Sequence, residues 1–303
     1  MPMKLPLVEL LKEEPMLNIK HTIWKIRDFV LTKLRITDQN TVYFEGGLGS
    51  QILAFIEYSE KNKSSNKPVF GNLDYFNKIK SDFTDDTGLS RWTWKLDQYG
   101  IYQNDIKQAT KIRRFSNKYF KVRPQNTSEH LYNFREKKSK NYQKIFMAND
   151  EKVKRYLLEK FRSDKDDFAV IHIRRGDYLN VASKVVSTEE LINFINKIKK
   201  LLPENVLISS DSFLPSFEKD LFSNTFAEFN LVYVDPREDP FMVHDLMRSS
   251  SILVASNSTF SFTAGLLAKS GCMVFFPTNY FGQGRLSDSK SFLFRQPFEY
   301  LVD

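Results

Sequence analysis

At 303 residues, with 41% hydrophobic and 14% aromatic side chains, the chain exceeds one average domain and can fill one large core or two modest ones. Its 45 Lys and Arg against 37 Asp and Glu leave a formal charge of +8, which favours a phosphate-bearing partner: a nucleotide, a nucleic acid or an anionic membrane. The single cysteine, Cys272, excludes an intrachain disulfide framework and any multi-cysteine zinc site, and His21, His130, His172 and His244 lack the HExxH spacing of a metal pair on one helix.

No apolar run reaches the roughly 18 residues of a membrane span, so a cytoplasmic protein is expected. Residues 1–40 form an extension before the first convincing strand. Within it Ile23, Trp24, Ile26, Phe29, Val30 and Leu34 recur at helical spacing, decorated by Lys20, Lys25, Arg27, Lys33 and Arg35. A basic amphipathic helix of this kind either packs on its own domain or lies on an anionic bilayer, so peripheral contact with the inner membrane face stays open.

From Thr41 the pattern becomes strand, turn, helix: VYFE, then Gly46, Gly47 and Gly49, then QILAFIEYSEK with an apolar face of Ile52, Leu53, Phe55 and Ile56. The free backbone N–H groups of such a glycine turn can meet an anion, or the turn can simply permit close packing of strand and helix. Residues 61–150 are polar, basic and aromatic by turns. Their stretch KIRRFSNKYFKVR carries the one rival of another class, a basic non-catalytic nucleic-acid-binding protein, but no RNA- or DNA-binding motif accompanies it and no nucleic acid is expected.

The second half alternates regularly. FAVIHIRR, NVLISSD, FNLVYVD, SILVASN and MVFFPTNY read as buried parallel strands, separated by helical stretches at about 187–201, 215–222, 239–250 and 259–269. Ser187 with Glu190 forms a capping box at the first of these. The alternation implies a doubly wound α/β domain.

Three segments carry chemistry. In FAVIHIRRGDYLN an apolar strand ends in His172, Arg174, Arg175, Gly176, Asp177 and Tyr178, and strand alternation puts His172 and Arg174 on one side, Ile171 and Ile173 on the other. Ligands of open parallel sheets bind at that carboxyl end. Two adjacent arginines present up to ten N–H donors to a diphosphate. The alternative is a structural ion pair. The only DxD-like triplet, Asp164-Lys165-Asp166, precedes its strand and reads as a solvated loop, so no metal is expected. FEGGLGSQILAF supplies the glycine turn. In SSSILVASNSTFSFTAGLLA a strand delivers Asn257, Ser258, Thr259 and Ser261 to the start of a helix, as a phosphate cradle or as ordinary N-capping. Asp245, in the DLM segment just upstream, offers a carboxylate to a base.

Together the GGLGSQ turn, HIRRGDY and NSTFS resemble, in order, the hallmarks of the glycosyltransferase family 11 α-1,2-fucosyltransferases, from about Gly46 to Tyr280. The resemblance implies a GT-B fold: two Rossmann-like domains facing across a cleft, here an acceptor-side domain at 41–165 and a nucleotide-sugar-binding domain at 166–303. It implies an inverting, metal-independent transfer of L-fucose from GDP-fucose to the 2-OH of a galactose-containing glycan, free or lipid-linked, in polysaccharide biosynthesis. Another nucleotide sugar on the same fold is the alternative. By position Arg174 would hold the β-phosphate, His172, Arg175, Asn257, Ser258 and Thr259 would help bind the donor, and Asp245 would read guanine. Glu45, Gly46, Gly47 and Gly49 would line the acceptor side. Asp177 and Glu45 are the candidate carboxylates for proton removal, with Asp177 preferred. Ser50 stands where the family has Asn, and Phe262 and Thr263 stand where it has an aromatic pair.

Overall fold

The computed structural model describes residues 41–73, 75–76, 88, 93–108, 141–162, 167–176 and 186–276. The extension, the KIRRFSNKYFKVR stretch, Asp164 to Asp166, Asp177 and Tyr178 lie outside them.

Five parallel strands form the larger sheet: β3 (Phe168–Ile173), β4 (Asn205–Ser210), β5 (Asn230–Tyr233), β6 (Ile252–Val254) and β7 (Met273–Phe275), in the order β5-β4-β3-β6-β7. A smaller pair, β1 (Thr41–Tyr43) and β2 (Phe70–Asn72), is also parallel, with helix α1 (Leu48–Ser64) crossing between them. The chain is therefore a mixed α/β protein built on parallel sheets. Ile171 sits level with Ile208 of β4 and Val254 of β6, and the middles of these inner strands are apolar because helices cover both faces of the sheet, whereas β5, expected to be buried, lies at the edge with Asn230 exposed and Leu231 to Tyr233 half-buried.

Alternation along the strands splits the core in two. Phe168, Val170, Leu207, Leu253 and Val274 join one cluster, while Ala169, Ile171, Ile173, Val206, Ile208, Val254 and Phe275 join the other. Helices α3 (Thr188–Ile198) and α4 (Ser216–Thr225) cover the second cluster through Leu191, Ile195, Phe222 and Phe226. Helices α2 (Asp150–Phe161), α5 (Pro240–Ser249) and α6 (Thr259–Leu266) cover the first. That first cluster continues into Val42, Phe44, Leu48 and Ile52, so the small βαβ unit and the large sheet share apolar packing.

Helix ends follow the expected signals. Ser187 Oγ accepts from Glu190 N at 3.1 Å, and Glu190 Oε2 accepts from Ser187 N at 2.9 Å, completing the capping box of α3. Asp239 caps α5, with Pro240 at its first position, and Ser258 caps α6. The expected stretch at 187–201 divides into α3 and a 3-10 turn at Lys199–Leu201.

Two helix starts meet where the smaller unit packs on the larger. A Cβ at Gly49 would lie inside van der Waals distance of the Thr259 carbonyl and 2.6 Å from Phe260 Cα, so only a glycine permits this approach. Ser50 Oγ and Thr259 Oγ1 pair alongside it at 3.1 Å. Gly49→Ala should therefore lower the unfolding free energy by about 1–3 kcal/mol, because backbone atoms must move to admit the methyl. Ser50→Ala, which loses only the hydroxyl pair, should cost about 1 kcal/mol or less. Urea denaturation of the two variants checks this, and equal losses would contradict the close-packing account.

Candidate functional site at the strand reversal

The strand order reverses between β3 and β6. From β3 the chain steps outward through α3 and α4 on one face, then returns through α5 and α6 on the other. The chain thus leaves β3 and β6 toward opposite faces of the sheet, and the carboxyl edge at such a reversal is the position where open parallel sheets take ligands.

His172 is the last-but-one residue of β3. It is 3% exposed, and its Nδ1 lies 2.7 Å from Ser256 Oγ, in the loop after β6. Its ring lies 5.9 Å from that of Phe260, which lies 5.3 Å from the ring of His244. His244 is fully buried, and desolvation, aided by Arg248 and His172, holds its pKa well below the ordinary histidine value. Thr263 Oγ1 has one hydrogen to share between the Thr259 and Phe260 carbonyls, both at 3.0 Å, which leaves it an acceptor for His244 Nε2–H at 3.1 Å. This arrangement suits a neutral imidazole with its proton on Nε2.

Arg174 reaches the same edge. Its Nη1 lies 3.0 Å from Asp211 Oδ2, just past β4, and its side chain keeps 20% of its surface exposed. Asp211 is not among the site residues read from the sequence. Its other oxygen, Oδ1, accepts from the Arg175 backbone N–H at 2.7 Å. The polar SSD ending of a strand next to HIRR is the signal that points to it. Gly176 turns beneath this carboxylate with φ +25°, and its N–H donates to Ser212 Oγ at 3.3 Å.

Arg175 departs from the sequence expectation. Its Nε faces both Glu218 oxygens at 3.3 Å, Nη1 donates to Val186 O at 3.0 Å, and Nη2 donates to Thr188 Oγ1 at 2.8 Å. The side chain points back to the starts of α3 and α4 and is 4% exposed. It follows the side of Ile173, away from His172, so of the two arginines only Arg174 stays on the side of His172.

Asp245 departs as well. Its Oδ2 accepts from Asn149 N–H, the N-cap residue of α2, at 2.9 Å, and its Oδ1 pairs with Arg248 Nη1 at 3.4 Å. Desolvation raises its pKa, partly offset by the Asn149 bond and by Arg248. It ties α5 to α2, with both oxygens bonded within the protein.

The α6 start keeps its place. Ser258 Oγ accepts from Phe260 N at 3.2 Å as an N-cap, Asn257 is buried beside it, and Thr259 is partly exposed. The glycine turn abuts this start through Gly49. Gly47 caps α1, and the Gly46 carbonyl accepts from Gln51 Nε2 at 2.9 Å. Gln51 is wholly buried; Nε2 also donates to Thr93 O at 2.8 Å, and Oε1 accepts from Lys95 N at 2.9 Å. Sequence reading missed this bracing role. Glu45 stands on the same turn near Tyr75, whose pKa is raised by burial and then by the Glu45 charge. Among the described residues no group of three or more His, Cys, Asp or Glu is placed to hold a metal ion.

The family model for glycosyl transferase family 11 matches residues 89–301. The chain belongs to this family. The match takes in the HIRRGDY and NSTFS segments of the family 11 chain, while the glycine turn lies before it. Among solved structures, a crystal structure of POFUT1 in complex with GDP is similar at 13% identity and TM-score 0.34, over 42% of this chain and 46% of that one. The similarity thus spans less than half of that protein. Among curated proteins none matches.

Removing the Glu218 carboxylate would leave the Arg175 guanidinium buried without its counter-charge. Glu218→Ala is expected to lower stability by about 3–5 kcal/mol, read as the shift in urea midpoint. A loss below about 1 kcal/mol would show that the Arg175 network is not structural.

Proposed function

We propose that this glycosyltransferase moves L-fucose from GDP-fucose to the 2-OH of a galactose-containing glycan, with inversion and without a metal ion. The observation that carries the reading is that the neighbouring strands β3 and β6 end, at the strand reversal, in His172 and Arg174 and in the capped start of α6, with His172 joined to Ser256 between them. A diphosphate placed there meets a planar guanidinium whose charge does not titrate away, together with the positive end of a helix.

On this reading Arg174 holds the β-phosphate and stabilises the negative charge that develops on GDP as the glycosidic bond breaks. Asn257, Ser258 and Thr259 sit at the phosphates, and His172 contacts the donor. Arg175 supports the turn that aims Arg174, and the guanine is read by groups other than Asp245. The acceptor hydroxyl attacks the anomeric carbon from the face opposite GDP. A carboxylate, Asp177 in preference to Glu45, takes its proton, and the Glu45–Gly49 turn borders the acceptor.

The parallel β1-α1-β2 unit supports a Rossmann-like first half at 41–165, facing a donor-binding half at 166–303 in a GT-B arrangement. A lipid-linked acceptor at the cytoplasmic face of a membrane suits the net charge of +8 and the basic pattern of residues 20–35. No helix among the described residues is long and apolar enough to cross a bilayer.

The reading is tested by turnover of GDP-fucose and of UDP sugars with galactose-terminated acceptors in excess EDTA. Transfer from GDP-fucose alone is expected. Transfer only from a UDP sugar would overturn the donor assignment, and loss in EDTA restored by Mn²⁺ would overturn metal independence. Arg174→Lys keeps the charge but loses the fork, so turnover should fall roughly a hundredfold to a thousandfold with little change in melting temperature. A destabilised but fully active variant would make Arg174 a structural residue.

A further inference from the structure

We propose that Asp211 is the positioning residue of the transfer reaction, a carboxylate at the end of β4 that fixes the Arg174 guanidinium in the plane from which it meets the leaving diphosphate. The proposal rests on the reading of the carboxyl edge at the strand reversal as a nucleotide-sugar site.

Three contacts converge on this one side chain. Oδ2 pairs with Arg174 Nη1 at 3.0 Å, Oδ1 accepts the Arg175 backbone N–H at 2.7 Å, and the carboxylate fills the space a Cβ would need at Gly176. Its side chain is 7% exposed, so these bonds form with little competition from water. One carboxylate thus grips both the backbone and the side chain of the turn. A guanidinium on three methylenes has many rotamers, and holding it in one before substrate arrives removes that ordering cost from the chemical step.

The same carboxylate has an electrostatic consequence. It lies against the cation that is to receive a diphosphate, so it weakens ground-state attraction for GDP while improving the aim of the fork. Removing its charge should separate the two effects. Asp211→Asn keeps an oxygen for the Arg175 N–H but no longer holds Arg174 by charge. The variant is expected to lose turnover roughly tenfold to a hundredfold, while its GDP dissociation constant stays equal to or below that of the parent. A purely structural role would weaken GDP binding and turnover together, as the folded fraction falls.

Gly176→Ala tests the same geometry from the other side. Its methyl would displace a carboxylate pinned by two bonds, and the same pattern of lost turnover with retained GDP binding is expected.

Arginine ¹⁵N-edited NMR of the ligand-free protein supplies a readout that needs no substrate. The Arg174 Nη signals, assigned by their loss in Arg174→Lys, should be resolved in the parent because the ion pair restrains rotation of the guanidinium, and should average in Asp211→Asn. If the parent neither binds GDP nor turns over GDP-fucose while this averaging is seen, the nucleotide-sugar reading fails and the positioning contact stands. If Asp211→Asn keeps resolved signals or parental turnover, or loses GDP binding in step with stability, the proposal is overturned.

Discussion

The pairing of β3 on both sides holds this structure together. All six residues of that strand are buried, with β4 hydrogen-bonded to one edge and β6 to the other. Its side chains alternate between the two apolar clusters, so neither layer of helices can shift without moving it. Close packing on both faces makes the backbone of such a strand a fixed reference. The carboxyl end inherits that precision: His172 is aimed by the strand itself, and Arg174, the first residue past it, by the turn that Asp211 holds.

A second constraint joins the smaller unit to this reference. The Gly49 contact with Thr259 and Phe260 brings the first turn of α1 against the first turn of α6, and Gln51 binds the preceding turn to the backbone at Thr93 and Lys95. The turn proposed to border the acceptor is thereby set against the helix start proposed to hold the donor phosphates. Two substrates brought to such neighbouring backbones are oriented toward each other by the scaffold, which is where much of the advantage of a bisubstrate enzyme arises.

Much of this was legible in the sequence wherever the physics is local. Strands buried on both faces read as unbroken apolar runs, and the Ser187–Glu190 capping box is complete within four residues. The polar end of FAVIHIRR marked the carboxyl edge of the central strand. Legibility failed where an interaction joins distant segments. Asp211 lies 36 residues beyond the Arg175 amide it accepts from, and Ser50 lies 209 residues before its Thr259 partner. Asp245 could not be placed from the sequence because a carboxylate upstream of NSTFS suits either a base or an ion pair. The choice depended on Asn149, 96 residues away, and on an arginine one helical turn along. Residues 61–150 mix aromatic and basic side chains without a clear period, so little there could be assigned to an element.

The adjacent arginines show how one backbone step divides two roles. Strand alternation carries the side of His172 to Arg174 and the side of Ile173 to Arg175. Arg174 stays on the side of His172 and pairs with Asp211 just past β4. Arg175 faces the starts of α3 and α4, where Val186, Thr188 and Glu218 take the guanidinium. A fork with its N–H groups occupied by protein acceptors has little left for a phosphate, whereas Arg174 keeps part of its surface open, with the Asp211 carboxylate against Nη1. Arg175 in turn anchors the turn through its backbone N–H, which meets the Asp211 carboxylate that also holds Arg174. The doubled arginine is therefore better understood as one charge left partly open, the one proposed to meet the donor, and one anchor, joined through a shared carboxylate, with Gly176 required next because that carboxylate lies where any larger residue would place its Cβ.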